Sequence, residues 1–250
     1  MRAAAVHYGC MTVTASSRIV VLGGTSGIGL AVARRAAEAG ASVTIASRNP
    51  ASVDRALAEL PAGVQGHAVD ATVSADLAAF FDGIGEFDHF AYTAADNLVG
   101  RPLAEYSVEA AQAFFGLRLV HALDAVRLAV PHLRPGGSIT LTSGTAAFKG
   151  GTGWMLGAAA SGATISVGRS LAVELAPLRV NVVAPGVVRS PLWAAMDEQD
   201  RESMYTATAA ALPLGRVAET DDVAKAFIAL MDQDYVTGTV SVVDGGTLVA

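Results

Sequence analysis

The sequence predicts an α/β protein: one doubly wound, about seven-stranded parallel sheet with helices on both faces. Three observations carry this. Short apolar runs rich in Val and Ile alternate with helix-patterned segments from residue 18 onward. The first such run opens into a glycine loop and then a helix start. The chain of 250 residues, 52% hydrophobic and only 16% charged, has enough apolar surface to cover both faces of a sheet.

The elements follow in order. RIVVLGG (18–24) is a strand and GIGLAVARRAAEAG (27–40) a helix; ASVTIAS (41–47) and PASVDRALAEL (50–60) repeat the pair, as do GHAVDAT (66–72) and SADLAAFFDGI (74–84). The alternation continues through DHFAYTA, GSITLTS, LRVNVVAPG and TGTVSVVDGG, giving seven strands joined by right-handed crossovers. No linker rich in Pro, Ser or charge divides the chain, so 18–250 is expected to be one domain. The first 17 residues are too weakly apolar for a signal peptide and are expected to form a flexible extension. The uncharged run between Lys149 and Arg169 has the length of a membrane span, but its six glycines and four hydroxyl residues point to a packed internal helix instead.

Charge narrows the partners. With a net charge of −6 and no run among its 17 basic residues, the chain lacks the clustered positive surface that phosphate backbones need, so small molecules are the expected partners, not nucleic acid or membrane. The single cysteine, Cys10, cannot form an internal disulfide, which suits a cytoplasmic setting. No metal site is expected, since no Cys or His cluster is present.

Gly23, Thr25, Ser26, Gly27, Ile28 and Gly29 lie between the first strand and the first helix. Glycine there lets the backbone turn tightly and approach a pyrophosphate, whose charge meets free N–H groups and the positive end of the helix dipole. The second strand ends in Ser47 and Arg48, where sites that take NAD carry an acid for the ribose hydroxyl; an arginine there can pair with a 2′-phosphate, which favours NADP(H), or can be a solvated loop charge. Asp70, followed by Ala71, is suited either to an adenine amino group or to a turn.

These motifs, with GGSITLTSG, RSLAVELAPLRVNVVAPGVVRSPLW, LPLGRVAETDDVA and YVTGTVSVVDGG, resemble the short-chain dehydrogenase/reductase family, a Rossmann-type fold, from about Arg18 to Leu248. The resemblance implies that Thr93 and Ala94 stand in the family's strand-end pattern and that Pro185, Gly186, Val188 and Ser190 border the nicotinamide. It also implies a substrate lid over about 191–213, and a homodimer or homotetramer built by the helices around 113–130 and 157–175. It implies four working residues as well: a Tyr acting as acid or base, a Lys four residues later that lowers its pKa, a Ser that binds the substrate oxygen and an Asn. Here Gly157 stands at the Tyr position, Ser161 at the Lys position and Arg118 at the Asn position, while the Ser falls on Ser143 or Gly144.

A carbonyl reductase lacking the Tyr and Lys needs other means. Arg118 can hold an anion or oxyanion, or else lie in a subunit salt bridge. His121, one turn on, can transfer protons near neutrality or be a buried structural histidine. Lys149 and Tyr92 are further candidates, and Trp154 and Met155 are expected to wall the pocket. Three functions stay open: an NADP(H)-dependent oxidoreductase on a carbonyl, alcohol, C=C or imine; a cyclase, isomerase or lyase on the same scaffold; and a non-catalytic nucleotide-binding protein.

Overall fold

A computed structural model describes residues 13–250. The expectations for residues 1–12, including Cys10, lie outside it. Val13 to Ser17 pack on the domain: Val13 is buried and its N–H donates to Asp232 Oδ1 at 2.5 Å.

Strand β1 (Arg18–Leu22) pairs on one side with β2 (Ser42–Ser47), which pairs in turn with β3 (Gln65–Ala68). On its other side follow β4 (Phe87–Tyr92), β5 (Leu133–Thr142), β6 (Arg179–Pro185) and, as the last strand of the sheet, β9 (Val240–Val243). All seven are parallel, in the order β3-β2-β1-β4-β5-β6-β9. A separate short ladder joins β7 (Val188–Arg189) to β8 (Ala218–Glu219), which the alternation of the sequence did not reveal.

Side chains of β1 alternate between the two cores, as the two-residue period of a strand requires. Ile19 and Val21 face α1 (Gly27–Glu38) and α8 (Thr220–Asp232), whose Val32, Ala36, Val223, Phe227 and Met231 complete one layer. Val20 and Leu22 face the other layer, with Phe80 and Phe81 of α3 (Ser74–Ile84), Ala125 and Val126 of α5 (His121–Ala129) and Ile165 of α6 (Met155–Glu174). Helix α2 (Pro50–Glu59) covers β2 and β3. Every residue of β4 and β6 is buried, as befits central strands covered on both faces.

Glycine sets how close α6 lies to the sheet: a Cβ at Gly168 would stand 2.5 Å from Val182 Cγ2 on β6. Helix α4 (Val108–Phe115) does not run straight into α5. Residues Gly116–Val120 between them form a π-turn, with i→i+5 bonding, a local widening often found at functional sites. The strand order reverses between β1 and β4, and their C-terminal ends open there into the crevice where ligands of such sheets bind.

Candidate active site

Two cavities meet at this switch point. The first, about 290 Å³, runs along the glycine loop. The second, about 400 Å³, lies on the substrate side. They share Ile28, Thr93, Ala94, Ala95, Thr142, Ser190 and Leu192, so they form one continuous cleft.

The loop after β1 is shaped to hold a phosphate-bearing ligand. Gly23 takes φ +91° and is so close to the end of β4 that a Cβ would stand 2.5 Å from Ala94 N. Ser26 is the N-cap of α1 and its side chain makes no capping bond, leaving the first-turn N–H groups open toward the cavity lined by Thr25, Ser26, Gly27 and Ile28. Gly27 faces the far wall, where a Cβ would come within 3.6 Å of Pro191 and 3.8 Å of Ser190. Gly29 does not line the cavity. A Cβ there would meet Gly23 O at 2.3 Å and Thr93 Oγ1 at 2.4 Å, so this glycine lets α1 close on the strand ends.

Ser47 and Arg48 lie at the cavity's other end with Asp70 and Ala71. Asp70 and Ala71 sit just past β3, in a turn and not in the strand. Asp70 Oδ1 accepts from Thr72 N at 2.9 Å and Thr72 Oγ1 at 2.8 Å. These bonds, with a smaller contribution from the Arg48 charge, hold its carboxyl below the usual range. The turn-forming account of Asp70 therefore describes that oxygen. Thr93 ties the strand ends together, its N–H and Oγ1 both donating to Leu22 O.

The substrate-side chamber is floored by one face of α6. Gly157 and Ser161, four residues apart on that face, both line it, with Ser143 and Gly144 from the end of β5. Ser143 Oγ donates to Ser161 O at 2.9 Å. Pro185, Gly186, Val188 and Ser190 form the wall beyond β6. Beyond this wall come a turn at Pro191–Trp193 and α7 (Glu198–Ala211), held by a cluster of buried Trp193, Tyr205 and Val217. Trp193 packs edge-to-face on Trp154 with ring centroids 5.9 Å apart. Trp154 walls the chamber, whereas Met155 does not.

Arg118 enters the chamber from the π-turn. Its Nη2 donates to the main-chain oxygens of Asp96 and Asn97, and its guanidinium lies 4.3 Å from the centroid of the Phe114 ring. Burial lowers its pKa, opposed by the charge of Asp96. Tyr92 donates to Leu117 O at 2.6 Å, and burial pushes its phenol up, so it is a poorer acid than free tyrosine. Lys149 Nζ donates to Thr247 O and Ala250 O, both at 3.0 Å.

His121 corrects an expectation. It lines neither cavity. In an α-helix residues three apart share a face; the wider π-turn at Gly116–Val120, which ends at His121, does not keep that register between Arg118 and His121. Phe114, Leu98 and Met204, which also line the chamber, were not singled out from sequence. Phe114 could have been, since it stands one turn before Arg118.

The comparisons agree with this geometry. Residues 23–247 match the family described as Enoyl-(Acyl carrier protein) reductase. The chain is 33% identical to the short-chain dehydrogenase/reductase malC of Malbranchea aurantiaca, over 92% of this chain and 94% of that one. A solved structure of the MalC Reductase/Diels-Alderase from the same organism superposes with TM-score 0.87 at 32% identity, covering 95% and 98% of the two chains. A small-chain dehydrogenase in complex with NADPH superposes with TM-score 0.80 at 31% identity, covering 94% and 100%.

Proposed function

Given that the chain belongs to the short-chain dehydrogenase/reductase family, we propose that it is an NADP(H)-dependent oxidoreductase that works on a small molecule without the family's tyrosine–lysine pair. The observation that carries this reading is the continuous cleft: the glycine loop before α1, lined by Gly23, Thr25, Ser26, Gly27 and Ile28, opens directly into an apolar chamber. Ser47 and Arg48 suit a ribose 2′-phosphate, with Arg48 supplying charge and donors. The NADPH held by a structural neighbour supports the same choice. Pro185, Gly186, Val188 and Ser190 would border the nicotinamide.

A bound nicotinamide would supply or accept the hydride. The chain's own residues would orient a carbonyl, imine or C=C group against it, and positioning alone can lower a barrier substantially. Arg118, whose charge persists at any working pH, would stabilise negative charge developing on the substrate. Ser143 could donate to the same atom after releasing Ser161 O. Neither Gly157 nor Ser161 can act as the acid, and Tyr92 is tied to Leu117, so the proton would come from water entering the chamber. Losing a positioned acid costs on the order of 10²–10⁴ in rate, so slow turnover is expected on simple ketones.

One observation favours a second reading. A neighbour with 32% identity is described as both reductase and Diels-Alderase, and a cycloaddition needs no proton donor, only an apolar chamber that holds its substrate folded. Helices α4–α5 and α6, adjacent on one face of the sheet, are proposed as the contact between two copies of the chain.

The test is a titration with NADPH and NADH followed by nicotinamide fluorescence and heat, then turnover on ketones, imines and activated alkenes. Tighter binding of NADPH, weakened by Arg48→Ala, with NADPH oxidation supports the reductase. Product formed without NADPH consumption moves the conclusion to the second reading. Tight binding with no turnover on any substrate points to a non-catalytic nucleotide-binding protein, and binding of neither nucleotide rejects the cofactor assignment.

A further inference from the structure

Resting on the reductase reading, we infer that the substrate-side chamber takes a planar, largely apolar molecule carrying one anionic group, such as a carboxylate or enolate, with Arg118 as its anchor. The argument begins with charge. The chain as a whole is acidic, at −6, yet the chamber lining contains two cations, Arg118 and Lys149, and no Asp or Glu. A low-dielectric cleft with one sign of charge concentrates ligands of the opposite sign. Lys149 stands at the exposed edge, held by the main-chain oxygens of Thr247 and Ala250. Arg118 is the deeper of the two and the better placed.

Arg118 is also left with capacity. Among the described residues only its Nη2 finds acceptors, and those are neutral main-chain oxygens. Among the described residues no carboxylate stands within ion-pair distance of it. Asp96, whose charge acts on it, lines the nucleotide cavity instead of the chamber. Nε and Nη1 make no hydrogen bond to the described residues and are not among the buried donors lacking a partner, so they remain accessible to a ligand. A guanidinium presents its donors as a planar fork, which matches the two oxygens of a carboxylate. The Phe114 ring lies against it, 4.3 Å from the guanidinium carbon to the ring centroid.

The rest of the chamber describes the remainder of the ligand. Trp154 and Trp193 meet at right angles, and Leu98, Leu192 and Met204 continue the apolar wall. Gly157 leaves empty the volume that a side chain would take beside Trp154, whose Cε3 lies 3.6 Å from where a Cβ would stand. A flat ring system can lie there with its anionic group toward Arg118.

The chain has two tryptophans in all, and both line this chamber, so intrinsic fluorescence reports directly on its occupancy. The experiment titrates the full chain with 2-naphthoate, 2-naphthamide and 2-naphthylmethylammonium, reading tryptophan quenching and heat. The expected result is that naphthoate binds at least about tenfold more tightly than the amide, a difference of about 1.4 kcal/mol, and that the cation binds weakest. Arg118→Leu should erase the preference; NADPH binding, measured separately, reports any loosening of the Asp96–Asn97 segment that Arg118 also holds. Arg118→Lys should keep part of the preference, and covers the case in which the leucine variant fails to fold. Equal binding of naphthoate and naphthamide, a preference that survives Arg118→Leu, or no quenching by any of the three overturns the inference. NADPH binding without anion preference would overturn the inference alone; absence of NADPH binding would overturn the reductase reading.

Discussion

Two glycines show how the same residue type can be required at one place and dispensable at another. Gly23 has φ +91° and no room, since a Cβ would overlap Ala94 N at 2.5 Å and Thr93 C at 2.7 Å, both main-chain atoms that cannot swing aside. Gly157 lies in regular helix with only the edge of Trp154 near it, at an ordinary contact distance. Gly23→Ala is therefore expected to destabilise by roughly 1–3 kcal/mol and to abolish nucleotide binding. Gly157→Ala is expected to stabilise by up to about 1 kcal/mol, the helix preference of alanine over glycine, with nucleotide binding kept. Thermal unfolding with and without NADPH checks both. If Gly157→Ala were as harmful as Gly23→Ala, something other than open space would have to occupy that position.

At the level of elements, the start of α8 shows how a short-range motif carries weight. Asp222 accepts from Glu219 N at 3.0 Å in a capping box and pairs with Arg216 at 2.6 Å. The bond from Arg216, more than that from Glu219 N, holds its carboxyl at about 2 against a usual 3.8. The folded chain thus binds this proton more weakly than the unfolded one. The stability so gained is present above pH 3.8 and is lost as pH falls through about 2. Asp222→Asn should cost about 1 kcal/mol at neutral pH, and urea denaturation should show the gap to the parent chain narrowing between pH 5 and pH 2. A gap that is the same at both ends would mean that the charge contributes nothing. Most elements were legible in the sequence because buried parallel strands announce themselves as Val- and Ile-rich runs; Ile139 and Val182 are found where such runs predicted them. The π-turn at Gly116–Val120 was not legible, because widening a helix by one residue leaves no mark on composition. It also defeated the placement of His121 while bringing Arg118 to the cleft. The β7–β8 ladder escaped because two-residue strands have no period to detect.

For the whole molecule, the composition poses a question that one copy of the chain does not answer. With 52% hydrophobic and 16% charged residues, some apolar side chains remain outside both core layers. Val120 and Leu123 at the π-turn and the start of α5 are 58% and 38% exposed, Val108 at the start of α4 is 54% exposed and Val173 near the end of α6 is 81% exposed. A single exposed valine is unremarkable, but apolar residues spread over adjacent helices of one sheet face can be covered together by the same surface of a second copy, an isologous contact. Burying such a face also explains how α6 tolerates a composition of small residues with little charge. Light scattering is therefore expected to give a mass of at least twice 25.4 kDa. Val120→Asp combined with Val173→Asp places two carboxylates on each copy, which would have to lose their water on association. That variant should shift the mass toward 25.4 kDa while leaving the nucleotide cleft, built at the strand ends, able to bind. A parent chain that is already monomeric would refute the contact outright, and an unchanged mass in the double variant would place it on another face.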